Sequence, residues 1–352
     1  MAIVSGTDPR ALAAAAAELA AGQLVAFPTE TVYGLGARAD DDAAVARIYA
    51  AKGRPADHPL IVHLADAPAA AAFTAAPSEA ARRLMDTFWP GPLTVIVPRR
   101  ADRGRAAAGG QDSIGLRVPA HPVALALLQA AARLGVAGVA APSANRFGRV
   151  SPTAAAHVLH EFGPALTVLD GGRCAVGIES TIIDCTRAQP ALLRPGQLSR
   201  AAIEAVLGQT LAEADAASPR ASGTLASHYA PLAPVRLFDA AAGGGGILGE
   251  SVAASMAATT GANPVANRHL AASLGSGAVG VLGVYSRLAP ESGRAWLHKA
   301  MPADAQAVAH ELFAVLRDFD AAGVSAIWVE RPPPGAQWDG VRDRLQRAAQ
   351  PV

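Results

Sequence analysis

The chain has 352 residues, 51% hydrophobic and 17% charged, enough apolar material for about two packed domains and too much for general disorder. Formal charge is +1, and the balance holds on both sides of Leu207, with 19 basic and 17 acidic residues before it and 11 and 12 after it. Neither half carries the cationic excess of a protein that grips nucleic acid through its phosphates, and no strong direct nucleic-acid binding is expected. Cys174 and Cys185 are too few for a disulfide framework and have no metal-ligand spacing. No stretch reaches the ~18 apolar residues that cross a bilayer, so the expectation is a cytoplasmic protein without a membrane partner.

In chain order, Asp8-Pro9 ahead of an alanine-rich run ending at Gly22 reads as an N-cap, a first-turn proline and a terminating glycine. A buried strand at 24–27 stops at Pro28, and a helix follows at 40–51 with acidic residues in its first turn. Short β-type runs at 60–64, 93–97, 115–118, 136–140, 166–169 and 181–184 alternate with helical stretches at 78–88, 122–134, 153–162 and 199–207. Such alternation predicts an α/β domain over 1–207 built on a mixed sheet. Ala, Ser, Pro and Gly then dominate 208–232, read as a linker. Strands at 235–238, 279–285 and 326–329 and a helix at 303–321 predict a second, smaller open α/β domain over 233–352. The Gly243 to Gly246 run lacks the Gly-Lys-Ser/Thr of a phosphate loop, and Gly277, Gly280 and Gly283 are misspaced for a dinucleotide fingerprint.

Five polar clusters stand at the ends of strands, where open α/β sheets bind ligands. The first, Pro28-Thr29-Glu30-Thr31-Val32-Tyr33-Gly34-Leu35-Gly36, offers hydroxyls and glycines for close backbone approach. The second, Lys52-Gly53-Arg54-Pro55 followed by His58 and His63, puts two cations at a helix C-terminus, suited to the helix dipole or to a polyphosphate. Only Lys52 and Lys299 among the 30 cationic side chains are lysine, a mild hint that a compact ammonium is wanted there. In the third, Ser113-Ile114-Gly115-Leu116-Arg117, an arginine within an apolar strand needs an anion, which a substrate carboxylate or an internal acid would supply. The fourth, Ala141-Pro142-Ser143-Ala144-Asn145 with Ser151-Pro152-Thr153, presents donors ahead of a helix. The fifth is Glu179-Ser180-Thr181-Ile182-Ile183-Asp184 with Arg194 nearby.

The order of these motifs, over about 22–207, closely resembles the YrdC-like family of threonylcarbamoyl-AMP synthases, and His228-Tyr229-Ala230-Pro231 with a further domain resembles its long, two-domain form. The resemblance implies a YrdC-like twisted mixed sheet around a large cavity, plus a smaller C-terminal Rossmann-like open α/β domain. It implies that L-threonine, bicarbonate or CO2 and ATP are joined into threonylcarbamoyl-adenylate with release of pyrophosphate, assisted by Mg2+ with no assigned metal ligands. The product would pass to a tRNA-modifying threonylcarbamoyl transferase complex. By position, Thr31, His63, Arg117, Ser180 and the backbone of Ala141 would contact threonine. Lys52, Arg54, His58, Ser113, Ser143, Ser151 and Arg194 would contact ATP, with Tyr229 reaching back from a linker that acts as a lid. Lys52 and Arg54 would stabilise charge at phosphorus. His58 departs from the family, where that position is often asparagine. Two alternatives share the resemblance: a carbamoyl-adenylate-forming enzyme of another pathway, and a double-stranded RNA-binding module.

Overall fold

A computed structural model describes residues 3–239, 281–288 and 296–350; the glycine run at 243–246, Gly277 and Gly280 lie outside them. The chain divides into two compact units, Met1–Leu225 and Ala226–Val352. That division falls inside the stretch read as a linker, so 208–225 belongs to the first unit.

In the first unit, β1 (Ile3–Ser5) leads to helix α1 (Pro9–Ala20), capped by the Asp8 carboxylate accepting the Arg10 N–H. Strands β2 (Val25–Phe27) and β3 (Gly34–Arg38) precede α2 (Asp42–Lys52), whose Asp41 cap accepts N–H groups from Ala43 and Ala44. Then come β4 (Ile61–His63), α3 (Glu79–Phe88), β5 (Leu93–Pro98), β6 (Ser113–Arg117), α4 (Pro122–Arg133), β7 (Val139–Ala140), α5 (Ala155–Phe162) and β8 (Thr167–Asp170). The unit ends with β9 (Thr181–Asp184), β10 (Ala191–Arg194), α6 (Arg200–Leu207) and β11 (Ala212–Glu213).

Among the described residues these strands form one 11-stranded mixed sheet, ordered β1-β8-β2-β3-β7-β4-β6-β5-β9-β10-β11. Side-chain alternation along β2 shows how the sheet buries both faces: Val25 and Phe27 join a core with Leu19 of α1 and Leu127 of α4, while Ala26 joins the main core. Strand β3 escapes a hydrophobic reading because two of its five residues are glycine. A Cβ on Gly36 would lie 2.8 Å from the Phe27 ring and 2.9 Å from Val139, so the neighbouring strands require its absence. At the centre, β4 and β6 run parallel with His63 opposite Arg117, and β5 and β9 run parallel with Leu93 opposite Thr181. These registers set the site.

The second unit holds β12 (Val235–Phe238), β13 (Leu282–Ser286), β14 (Trp296–Ala300), α7 (Ala305–Ala321), β15 (Ala326–Glu330) and α8 (Asp339–Ala348). Its strands are all parallel, in the order β12-β15-β13-β14. Leu312, Phe313, Leu316 and Phe319 of α7 are buried, and Phe319 lies over Gly283, where a Cβ would come within 2.8 Å of its ring.

Leu116 is fully buried at the middle of β6. Leu116→Ala should cost about 2–5 kcal/mol in denaturant unfolding, whereas Leu134→Ala, at a side chain 52% exposed, should stay within about 0.5 kcal/mol.

Candidate active site

The loop between β2 and β3 is closed by its own hydroxyls. Thr29 Oγ1 donates to the Val32 carbonyl at 2.7 Å and accepts the N–H groups of Thr31 and Val32, and the two threonine hydroxyls lie 2.8 Å apart. This presents Thr31 to Arg117, whose Nη1 donates to its Oγ1 at 2.9 Å while Nε donates to the Gly91 carbonyl at 3.2 Å. Arg117 Nη2 lies 2.7 Å from Glu30 Oε1. Of the two anions open to Arg117, the structure therefore places the internal one, Glu30, against it. His63, level with Arg117 on the adjoining strand, stands edge-on to Phe27 with ring centres 6.0 Å apart. Burial, and then the Arg117 charge, push its imidazole down to about 3 from 6.5.

The cations at the end of α2 follow from its C-cap. Gly53 takes the left-handed conformation, φ 65°, which turns Arg54 away from the helix. Lys52 is buried at 3% exposure, and its ammonium donates to the carbonyls of Ser143, at 2.6 Å, and Asn145. The Phe147 N–H returns to the Lys52 carbonyl at 2.9 Å, docking the loop after β7 on this helix. Among the described residues no carboxylate lies within ion-pair distance of Lys52. Burial first, and Arg54 second, hold the ammonium pKa well below its ordinary value. Arg54 Nη2 donates to the Pro59 carbonyl at 2.8 Å, and its guanidinium lies over the Phe147 ring at 5.8 Å. His58 leans on the same ring, centres 5.4 Å apart, with its pKa lowered by burial and by Arg54.

Ser180 is held by Thr94 and by Arg194. Its Oγ lies 2.8 Å from Thr94 Oγ1, and Arg194 donates to its carbonyl through Nε at 3.1 Å and Nη2 at 2.9 Å. Close by, the Thr181 N–H bonds the Pro92 carbonyl, one residue from the carbonyl that receives Arg117. Arg194 Nη1 donates to the Ser222 carbonyl at 2.7 Å, and Arg54 Nη2 approaches Ser222 Oγ at 3.4 Å. Ser222 thus bridges two arginines. Arg220 adds an ion pair to Asp57 at 3.1 Å and exchanges bonds with Gln111, and with Ser222 it walls a narrow cleft of about 10 Å³ that Ser113, Gly115 and Thr94 also line.

The remaining expected residues are placed as follows. Ser151 Oγ donates to Glu179. Ser143 pairs by backbone with Gly34, and the Ala141 N–H goes to the Ile61 carbonyl at 2.9 Å. Tyr229 belongs to the second unit, buried, with φ 62°, stacked on Phe313 at 5.4 Å and covered by Arg344 at the same distance. Sequence reasoning missed Glu30 as the partner of Arg117, although it stands inside the quoted first motif. Ser222 and Arg220 had no signal beyond the polar character of their segment. Gly196 was another omission: a Cβ there would fall 2.5 Å from the Thr181 nitrogen and 2.8 Å from the Ser180 carbonyl carbon, so this glycine lets the Arg194 turn press against Ser180. Both thiols are buried and pushed up by burial, Cys185 to about 12, which removes them as nucleophiles.

A mixed sheet whose strand ends gather buried cations defines an anion-handling α/β protein. Comparison with known proteins gives the family. Residues 17–196 match the Sua5, YciO and YrdC family described as "Telomere recombination", and residues 198–350 match the family described as "Threonylcarbamoyl-AMP synthase, C-terminal domain". The threonylcarbamoyl-AMP synthase of Bacillus subtilis is 37% identical over 98% of this chain and 94% of its own length. That of Pyrococcus abyssi is 46% identical over 61% of this chain and 64% of its own. The crystal structure of P. abyssi Sua5 complexed with L-threonine has a TM-score of 0.78 and 34% identity, covering 96% of this chain and 94% of that one. The chain belongs to the threonylcarbamoyl-AMP synthase family, in its two-domain form.

The depressed His63 has a measurable sign. The unfolded chain protonates this ring near 6.5 and the folded chain only near 3, so the unfolded state binds more protons in that window and stability falls with acidification through it. By NMR, the His63 ring should stay neutral and show no titration between about pH 5 and 8; a titrating ring there would contradict its burial.

Proposed function

We propose that this chain condenses L-threonine, bicarbonate or CO2 and ATP into threonylcarbamoyl-adenylate, releasing pyrophosphate. The observation that carries the reading is the Lys52 ammonium, buried beside Arg54 with carbonyls as acceptors, one of them on Ser143, which pairs by backbone with Gly34 three residues after the Thr31 that takes Arg117. A desolvated cation of this kind gains from a polyanion, and a triphosphate restores the charge that burial disfavours.

Threonine would take Arg117 by its carboxylate, with Thr31, His63, Ser180 and the Ala141 backbone around it. ATP would take Lys52, Arg54, His58, Ser113, Ser143, Ser151 and Arg194. The ammonium gives up a proton to solvent, the free amine adds to CO2 with loss of a second proton, or to bicarbonate with loss of water, to give a carbamate, and a carbamate oxygen displaces pyrophosphate from the α-phosphorus. This chemistry needs no enzyme nucleophile; it needs the reactants held in line and negative charge stabilised at phosphorus, the work assigned to Lys52 and Arg54. Ser222, bound to Arg54 and Arg194, supports a covering role for the 208–225 segment, where water would destroy the product.

Magnesium would accompany ATP. Among the described residues no group of three or more His, Cys, Asp or Glu side chains is placed to hold a metal ion. The adenylate would be consumed by a threonylcarbamoyl transferase complex acting on tRNA. Among the described residues no helix is long and apolar enough to cross a membrane. A cytoplasmic location is part of the reading, supported by two cysteines kept as free thiols.

Pyrophosphate release from ATP should require both threonine and bicarbonate, measured by omitting each in turn; release independent of threonine would overturn the reaction. Lys52→Ala should lower turnover by about 100-fold or more, and near-wild-type turnover by a folded variant would remove Lys52 from the chemistry.

A further inference from the structure

A guanidinium has five N–H donors, and at Arg117 aligned bonds account for two of them, to Gly91 and Thr31. The third direction holds Glu30 in contact at 2.7 Å, yet the geometry is that of an ion pair without a hydrogen bond. Among the described residues neither Arg117 Nη2 nor either carboxylate oxygen of Glu30 has an aligned partner. Glu30 is 9% exposed, and its Oε2, outside the 2.7 Å contact, has no hydrogen-bond partner, a costly position for a buried carboxylate oxygen. One strand away, His63 Nδ1 is also without a hydrogen-bond partner. Arg117, the carboxylate paired to it and, on the adjoining strand, a ring nitrogen without a partner are therefore gathered at this register.

That set is the complement of a zwitterion. A carboxylate laid against Arg117 Nη2 brings its own ammonium alongside, and Glu30 is the acceptor in contact with that guanidinium. We propose that Glu30 is the amine-binding residue of the threonine site: its carboxylate accepts N–H bonds from the α-ammonium of the amino acid whose carboxylate Arg117 holds. The assignment rests on the synthase reading and deepens it. It makes Glu30 the group that distinguishes an α-amino acid from an α-hydroxy acid of the same shape, because a carboxylate acceptor gains most from a charged donor. It also fixes the nitrogen that must form the carbamate, which a clamp on the carboxylate alone would leave free to swing.

The competing role for Glu30 is as a prop for Arg117, acting on the amino acid through the guanidinium alone. The two roles separate by ligand. The full chain and Glu30→Gln are titrated calorimetrically with L-threonine and with 2,3-dihydroxybutanoate, which keeps the carboxylate and the side-chain hydroxyl and carries a hydroxyl in place of the amine. The unaltered chain should prefer threonine, and E30Q should weaken threonine by about 10-fold or more while moving the hydroxy acid by less than about 3-fold. The KM for ATP should not change. Should E30Q bind threonine as the unaltered chain does, or lose both acids equally, Glu30 is a prop and the assignment falls. An unaltered chain that binds neither acid would instead overturn the synthase reading itself. If E30Q does not fold, Glu30→Asp, which keeps the charge and withdraws it by one methylene, must show the same selective loss of threonine.

Discussion

The first unit depends on one buried ammonium held by main-chain carbonyls. Lys52 cannot be hydrated where it lies, so the carbonyls of Ser143 and Asn145 take the place of water. That requirement ties the last turn of α2 to the loop after β7, and the Phe147 N–H completes the tie from the other side. Carbonyls stabilise a cation without neutralising it. A carboxylate in the same place would have cancelled its field. The scarcity of lysine elsewhere in the chain fits this demand: a guanidinium is planar and wide, whereas three rotating N–H groups on a point charge fit a nest of carbonyls.

The second organising pair is built on the opposite rule. Arg117 does have an acid beside it, and burial first, with the charge of Arg117 level with it second, keeps the His63 imidazole neutral, so one net cation is not added to another. Between the two sites, Ser180 and Arg194 share a carbonyl and a hydroxyl, and Arg54 and Arg194 share Ser222. Ser180, Arg194, Ser222 and Arg54 are thus joined in one short hydrogen-bonded path.

Much of this was legible in the sequence, for identifiable reasons. Caps announce themselves chemically: Asp8, Asp41, Ser78 and Ser199 each accept an N–H at the start of a helix. Strands with branched apolar residues, such as Leu93–Pro98 and Thr181–Asp184, were equally plain. Strand β3 was hidden by its glycines, and β14 (Trp296–Ala300) by the polar pair His298 and Lys299 within it. Helix α8 begins Asp339-Gly340 and is strongly charged, so its apolar stripe of Val341, Leu345 and Ala348 was thin. Site residues could be named from ordered motifs, because motif spacing survives without coordinates. Their partners could not. Whether Arg117 meets an internal acid, or what bridges Arg54 to Arg194, depends on which loops fold together across many residues of chain, and no local pattern encodes it.

The boundary after Leu225 has a practical side. Composition alone would invite cutting the chain after Leu207, where the last helix of the first sheet ends. Such a cut would strip Arg194 and Arg54 of their shared serine, leave Asp57 without its ion pair and Gln111 without the Arg220 backbone, and take away one wall of the cleft beside Ser113. Anyone isolating the N-terminal half for crystallisation or ligand screening gains by carrying those eighteen further residues along.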